Sequence, residues 1–223
     1  MKPKNSLIGK TVAIVAGGVL DRRMLPFISK ADYMVGVDRG ALWLLRNKFP
    51  IHLAIGDFDS ITSEEKRRIH NTADIYREYE PEKDMTDLEL AVREVCKGSP
   101  KKVRLFAVLG KRFDHTLGAM QSLAYLSSHN IDGEIVDNFN KINIVRRGSM
   151  KFSRSIPYRY LSIIPLTQRA VVTATGVKYP ITKQKMFRNS SLGISNEITG
   201  PAAVIDVHLG AVFVVRSTDS ARS

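Results

Sequence analysis

The sequence predicts an α/β N-terminal domain with a mainly parallel sheet flanked by helices, followed by an all-β, antiparallel, sandwich-like C-terminal domain. Three observations carry this. Over residues 1–140, apolar runs of strand length alternate with helical periods, the pattern of a parallel sheet covered by helices. Over 141–223, short β-branched runs are separated by Gly, Pro, Ser and Asn, with no helical period of useful length between them. Within the first part, the turns that follow successive strands are glycine-rich, acidic or basic. In an open parallel sheet such turns share the edge where the strands' carboxyl ends emerge, and ligands bind there at the switch in strand order.

In chain order, the strands expected in the first domain are Thr11 to Val15, Tyr33 to Val37, Leu53 to Ile55, Ile75 to Tyr79, Val103 to Leu109 and Gly133 to Val136. Helices are expected near Leu25 to Ser29, Ala41 to Asn47, Ser63 to His70, Asp87 to Lys97 and His115 to Ser128. Two of these carry start signals: Thr62-Ser63-Glu64-Glu65 and Thr86-Asp87-Leu88-Glu89 both read as capping boxes. The second of them puts Asp87 in a first turn, where negative charge suits the helix dipole. In the second domain, strands are expected at Ile142 to Val145, Tyr160 to Ile164, Val171 to Ala174, Ala203 to Val207 and Val212 to Val215.

The turns hold the chemistry. Gly17-Gly18 follows the first strand, Asp38-Arg39-Gly40 the second and Gly56-Asp57-Phe58-Asp59-Ser60 the third. Lys83-Asp84-Met85-Thr86-Asp87 follows the fourth, and Gly110-Lys111-Arg112-Phe113-Asp114-His115 the fifth. Alternate residues of an extended turn point the same way, so Asp57 and Asp59 can present two carboxylates to one point, and Gly56 lets the backbone come close. Hard oxygen ligands with room left for phosphate oxygens suit Mg2+; an ordinary acidic surface turn is the plain alternative. Asp57, Asp59, Asp84 and Asp87 beside Lys83 and Arg112 make a set suited to phosphoryl transfer, in which the cations neutralise charge building on the phosphates. Arg112 suits a forked grip and Lys83 a point charge. His115 is either a phosphate ligand or a helix-start residue that packs locally. Gly9-Lys10-Thr11 and Gly110-Lys111 mimic the end of a Walker A loop but lack the rest of it, so if the protein binds ATP it does so without a P-loop.

A net charge of +12, from 34 Lys and Arg against 22 Asp and Glu, favours anionic partners. The basic residues fall in short groups, most of them read as solvated surface. Cys96 stands alone, which excludes an internal disulfide and points to a reducing compartment; its apolar neighbours place it in a helix core. The apolar stretch near the amino end is short and broken by Gly17-Gly18, so no secretory leader is expected. No segment approaches the ~20 apolar residues that cross a bilayer, and a cytoplasmic protein is expected. In the second domain, Tyr179 and the pair Ser195-Asn196 could stack on and hydrogen-bond a flat heterocycle, or be ordinary turn residues.

Taken in order, Asp38-Arg39-Gly40-Ala41, Gly56-Asp57-Phe58-Asp59-Ser60, Lys83-Asp84-Met85-Thr86-Asp87, Arg112-Phe113-Asp114-His115, Gly176-Val177-Lys178-Tyr179-Pro180 and Ser191-Leu192-Gly193-Ile194-Ser195-Asn196-Glu197 resemble the thiamine pyrophosphokinase family over nearly the whole chain. The resemblance implies transfer of the terminal diphosphate of ATP to thiamine, giving thiamine diphosphate and AMP. It further implies Mg2+ dependence and a homodimer with thiamine held between the first domain of one subunit and the second of its partner. Carried over by position, Asp57, Asp59 and Asp87 would be metal ligands or their support. Asp38, Lys83, Asp84, Arg112, Asp114 and His115 would line the ATP phosphates, and Tyr179, Ser195 and Asn196 the thiamine rings. Lys111 and Ala119 depart from the family pattern, which often has a second glycine and an Asn there. Two other readings fit parts of the sequence: a related diphosphokinase acting on a pterin-like alcohol, and a basic nucleic-acid-binding module, against which the acidic loops and the absence of a basic stripe interleaved with aromatics both count.

Overall fold

Residues 6–80, 82, 84–154 and 158–219 are described in this computed structural model. The chain divides into two units, Met1–Asp137 and Asn138–Ser223. In the first, the strands are β1 (Thr11–Val15), β2 (Tyr33–Val37), β3 (Leu53–Gly56), β4 (Tyr76–Glu78), β5 (Lys102–Phe106) and β6 (Asp132–Val136). The helices are α1 (Leu25–Ile28), α2 (Arg39–Arg46), α3 (Ser63–Thr72), α4 (Asp87–Lys97) and α5 (Phe113–Ser128). The strands lie in the order β4-β3-β2-β1-β5-β6. Every pairing among them is parallel, so all carboxyl ends emerge at one edge. Chain order reverses between β1 and β5. There the turn after β1 extends the pairing: Ala16 N–H donates to Phe106 O and Gly18 N–H to Ala107 O, both at 3.0 Å.

β3 is buried along its whole length and β1 and β2 nearly so, as both faces of a helix-covered parallel sheet must be. The α3 start is a complete capping box: Thr62 Oγ1 accepts from Glu65 N–H at 3.3 Å, and Glu65 Oε2 accepts from Thr62 N–H at 3.0 Å. Thr86 caps α4 by accepting from Glu89 N–H at 3.2 Å. α4 buries Ala91, Val92 and Val95. Cys96 is half-buried there rather than in the core, and burial pushes its thiol up to about 11, so it stays protonated. β5 stops short of the expected Leu109 because Ala107 adopts a left-handed φ of 57°.

The second unit contains β7 (Asn140–Ser153), β8 (Tyr160–Pro165), β9 (Arg169–Thr175), β10 (Ile181–Phe187), β11 (Asn196–Glu197) and β12 (Ala202–Ser217). All of its strand pairings are antiparallel. β12 runs beside β7 throughout, but its other edge changes partner. Val204 to Leu209 pair with β9 and Val212 to Ser217 with β8. The change falls at Gly210, whose φ of 79° and closeness to Thr167 Oγ1, 2.4 Å from where a Cβ would stand, admit no side chain. The expected strands 203–207 and 212–215 are thus one strand with a bulge. Side chains from β7, β8, β9, β10 and β12 meet in one core built on Phe152, Leu161, Val172, Met186, Ile205 and Val214. β10 carries no sequence signal: its ITKQKMF buries Met186 alone, and Lys183 at φ 46° shifts its register against β9. Among the described residues no helix is long and apolar enough to cross a membrane.

Candidate active site

The site is built where β2 and β3 end. Directly after β2 the chain turns at Asp38 with φ 48° and ψ −120°, a conformation that costs a residue with a Cβ about 1–3 kcal/mol. Two contacts hold it: Asp38 N–H donates to Ile55 O at 3.2 Å, and Asp38 Oδ1 accepts from Phe58 N–H at 3.3 Å. Gly56, at φ 152°, makes the second contact possible, since a Cβ there would stand 1.8 Å from Asp38 Oδ1. The two turns are therefore locked to each other through a carboxylate.

Phe58 sets the rest of the β3 turn. It is 2% exposed, joins the core of Met24, Ile28 and Ile69, and stacks on Tyr76 at 4.9 Å between ring centroids. Its φ is 56°, so the turn is not extended and the expected alternation fails. Asp57 stays half-buried, its Oδ1 accepting from Asp59 N–H at 3.1 Å, while Asp59 is exposed. Asp87, the first residue of α4, completes the arrangement with the helix dipole favouring its charge. Asp38, Asp57 and Asp87 each offer an oxygen, and these oxygens lie within 4.8 Å of one another. Asp59 is not one of the three, and Asp38, expected at the phosphates, is. Three partly buried carboxylates so close repel one another, an arrangement that could hold a cation.

Asp84 is exposed on the loop leading to α4. Lys83 lies outside the described residues. At the start of α5, Arg112 holds Asp114 in a fork, Nε to Oδ1 at 3.3 Å and Nη2 to Oδ2 at 2.6 Å. The guanidinium keeps the Asp114 carboxyl below the usual carboxylate range. His115 Nε2 is 4.0 Å from Asp114 Oδ2. The Arg112 side chain is 70% exposed, so it can leave Asp114 for a phosphate at little cost. Lys111 is exposed beside it, and Ala119 is fully buried in α5, where it serves helix packing.

In the second unit, Asn196 is buried and its amide is bonded to the backbone. Its Oδ1 accepts from Tyr179 N–H at 3.0 Å and from Glu197 N–H at 2.9 Å, and its Nδ2 donates to Tyr179 O at 2.8 Å. It braces the turn that carries Tyr179, whose side chain is exposed beneath the Lys178 ammonium at 5.6 Å. Ser195 is exposed at φ 61°, its N–H bound to Ser162 Oγ at 3.0 Å, which leaves the hydroxyl available. Leu192 and Ile194 on the same loop are exposed; no sequence signal singles them out, because isolated apolar loop residues carry no period.

Known proteins resemble this chain through both units. Residues 25–135 match the family model described as thiamin pyrophosphokinase, catalytic domain, and residues 143–212 match thiamin pyrophosphokinase, vitamin B1 binding domain. The chain is 35% identical over 216 residues to thiamine pyrophosphokinase of Bacillus subtilis, covering 94% of this chain and 100% of the relative. The crystal structure of the B. subtilis thiamine pyrophosphokinase superposes with a TM-score of 0.87 at 34% identity, over 95% of this chain and 100% of that one. That from Geobacillus thermodenitrificans gives 0.83 at 32% identity, over 94% and 98%. With matches that run through both units, this chain belongs to the thiamin pyrophosphokinase family.

Proposed function

We propose that the chain is an ATP-dependent thiamine diphosphokinase, a homodimeric cytoplasmic enzyme that moves the terminal diphosphate of ATP onto the hydroxyl of thiamine. The observation that carries this reading is the carboxylate group Asp38, Asp57 and Asp87 at the carboxyl edge of a parallel sheet, in a chain of this family. The donor set fits Mg2+: oxygen only, partly buried, and too small in number to satisfy six-fold coordination without phosphate oxygens. Bound there by Asp38, Asp57 and Asp87, the ion would supply positive charge that offsets the charge of the phosphates.

The chain's own residues do the rest. Arg112 and Lys83 neutralise charge on the transferred diphosphate and on the departing AMP, with Asp84, Asp114 and His115 bordering the phosphates. Asp59, exposed beside Asp57, would add negative charge near the ion. The thiamine hydroxyl oxygen bonds to the β-phosphorus of ATP, the bond from that phosphorus to the α-β bridging oxygen breaks, and AMP leaves with it; the hydroxyl proton passes to solvent. Tyr179 and Ser195 meet the thiamine rings, and Asn196 acts by positioning Tyr179.

Product analysis tests this. Incubation with ATP, Mg2+ and thiamine should yield AMP and thiamine diphosphate in equal amounts. ADP as the main nucleotide product would refute diphosphate transfer, and turnover of a pterin-like alcohol with none of thiamine would refute the substrate.

A further inference from the structure

The chain's charge is very unevenly placed. From Asn138 onward there are thirteen lysines and arginines but only Glu197, Asp206 and Asp219 as carboxylates, so this unit carries +10 of the chain's +12. Each of those carboxylates is already engaged: Glu197 with Arg159 and Lys178, Asp206 beside His208, and Asp219 with the Tyr160 hydroxyl.

The excess positive charge has a focus. Arg146, Arg147 and Arg169 line a cleft of about 820 Å3 together with Gln168, Phe187 and Gly210. No acidic side chain lines it, and among the described residues none of the three arginines forms an ion pair. Surface lysines on β10 have a plain purpose in guarding an open strand edge, but Arg169 has no such purpose. It sits at the start of β9, beyond the Val171–Thr175 stretch that pairs with β12, and directly opposite Phe187 of β10.

The cleft exists because of the bulge in β12. Gly148 is paired with Val207 and Arg146 with Ala211, so three residues of β12 stand opposite Arg147 alone. The walls are fixed: Leu166 N–H donates to Ala211 O at 2.9 Å, and Thr167 Oγ1 accepts from Ala211 N–H at 3.1 Å while donating to Arg169 O at 2.7 Å. An open cleft whose volume falls within the ~300–1,000 Å3 of small-molecule sites has room for a compact ligand.

We infer that this cleft is a second anion site, distinct from the carboxylate site of the first unit, and that it takes a ring-bearing organic diphosphate or triphosphate of the nucleoside phosphate class. Three arginines at the cleft match the charge of a short polyphosphate, and a guanidinium can grip phosphate oxygens through two bonds. The half-exposed Phe187 ring offers a stacking face for a base, and Gln168 a donor and acceptor for its edge. The bond set is purely associative; no covalent step is involved.

Calorimetry with ADP and with inorganic tripolyphosphate, both in excess EDTA, tests the inference without relying on turnover. With the metal chelated, the carboxylate group of the first unit repels both probes. The wild type should bind one ADP per chain, with affinity falling as salt rises. Arg146→Gln with Arg169→Gln should weaken both probes at least tenfold at an unchanged thermal midpoint. Phe187→Leu should weaken ADP several-fold and leave tripolyphosphate as it was, whereas Asp57→Asn should bind both as the wild type does. Absence of binding to the wild type, or unchanged binding in the double arginine variant, overturns the inference. Displacement of ADP by a single-stranded RNA or by anionic phospholipid vesicles at lower phosphate concentration also overturns it, since the face would then serve a polymer or a membrane.

Discussion

The two units hold their candidate site residues by different means. In the first, unusual backbone angles do the holding, with Asp38 at φ 48°, Gly56 at φ 152° and Phe58 at φ 56° forcing carboxylates from separate strands together. In the second, the backbone near Tyr179 is held by one buried amide, Asn196, and the ring it supports stands free in solvent. Gathering like charges costs free energy that only a rigid frame can supply, whereas presenting an aromatic face to a heterocycle tolerates some play. The first arrangement should fail sharply when altered and the second gradually.

The largest effect is expected at the carboxylates. Asp57→Asn should lower kcat/KM by about a thousandfold or more, roughly 4 kcal/mol of transition-state stabilisation, with thiamine affinity by calorimetry little changed. Near-normal turnover would erase the contrast between the units. Next comes the plug beneath them: Phe58→Ala should cost about 3–5 kcal/mol in urea unfolding and take activity with it, because the cavity frees the turn that Asp57 occupies. In the second unit the loss should be milder. Asn196→Ala leaves the Tyr179 amide and carbonyl without their partner, and the expected result is a thiamine KM raised about tenfold, roughly 1.4 kcal/mol, at a nearly constant kcat. A collapse of kcat instead would mean that Asn196 meets the reacting atoms.

The smallest effect is a titration. Asp114 has its pKa depressed by Arg112, so the pair's contribution is whole above the ordinary carboxylate value near ~4 and is lost as pH falls through the depressed value. In Arg112→Gln, a carbon-detected NMR titration should show Asp114 moving up to the ordinary range. An unmoved Asp114 would show that other groups hold it.

Much of the first unit is legible in the sequence because its signals are local. Thr62 and Glu65 announce a helix start by spacing alone, and runs such as Thr11 to Val15 are strands in any covered parallel sheet. The place of Asp59 is not legible, because it depends on whether Phe58 turns inward, and that is decided by Tyr76 and the core behind it. The role of Asp38 is half legible: an acid directly after a strand marks the rim, but its approach to Asp57 passes through Gly56, eighteen residues on. In the second unit, β10 escapes because its partners make it a strand, not its own residues. β12 reads as two strands because a bulge and a chain break look alike in sequence.

That bulge has a consequence for how the second unit comes apart. Since β12 serves both layers, neither layer can fray while the other persists: peeling off β9 and β10 unseats the same strand that anchors β8. The hinge at Gly210 therefore makes a joint failure of the whole sandwich easier than a partial one, and amide exchange along β12 should report a single opening event.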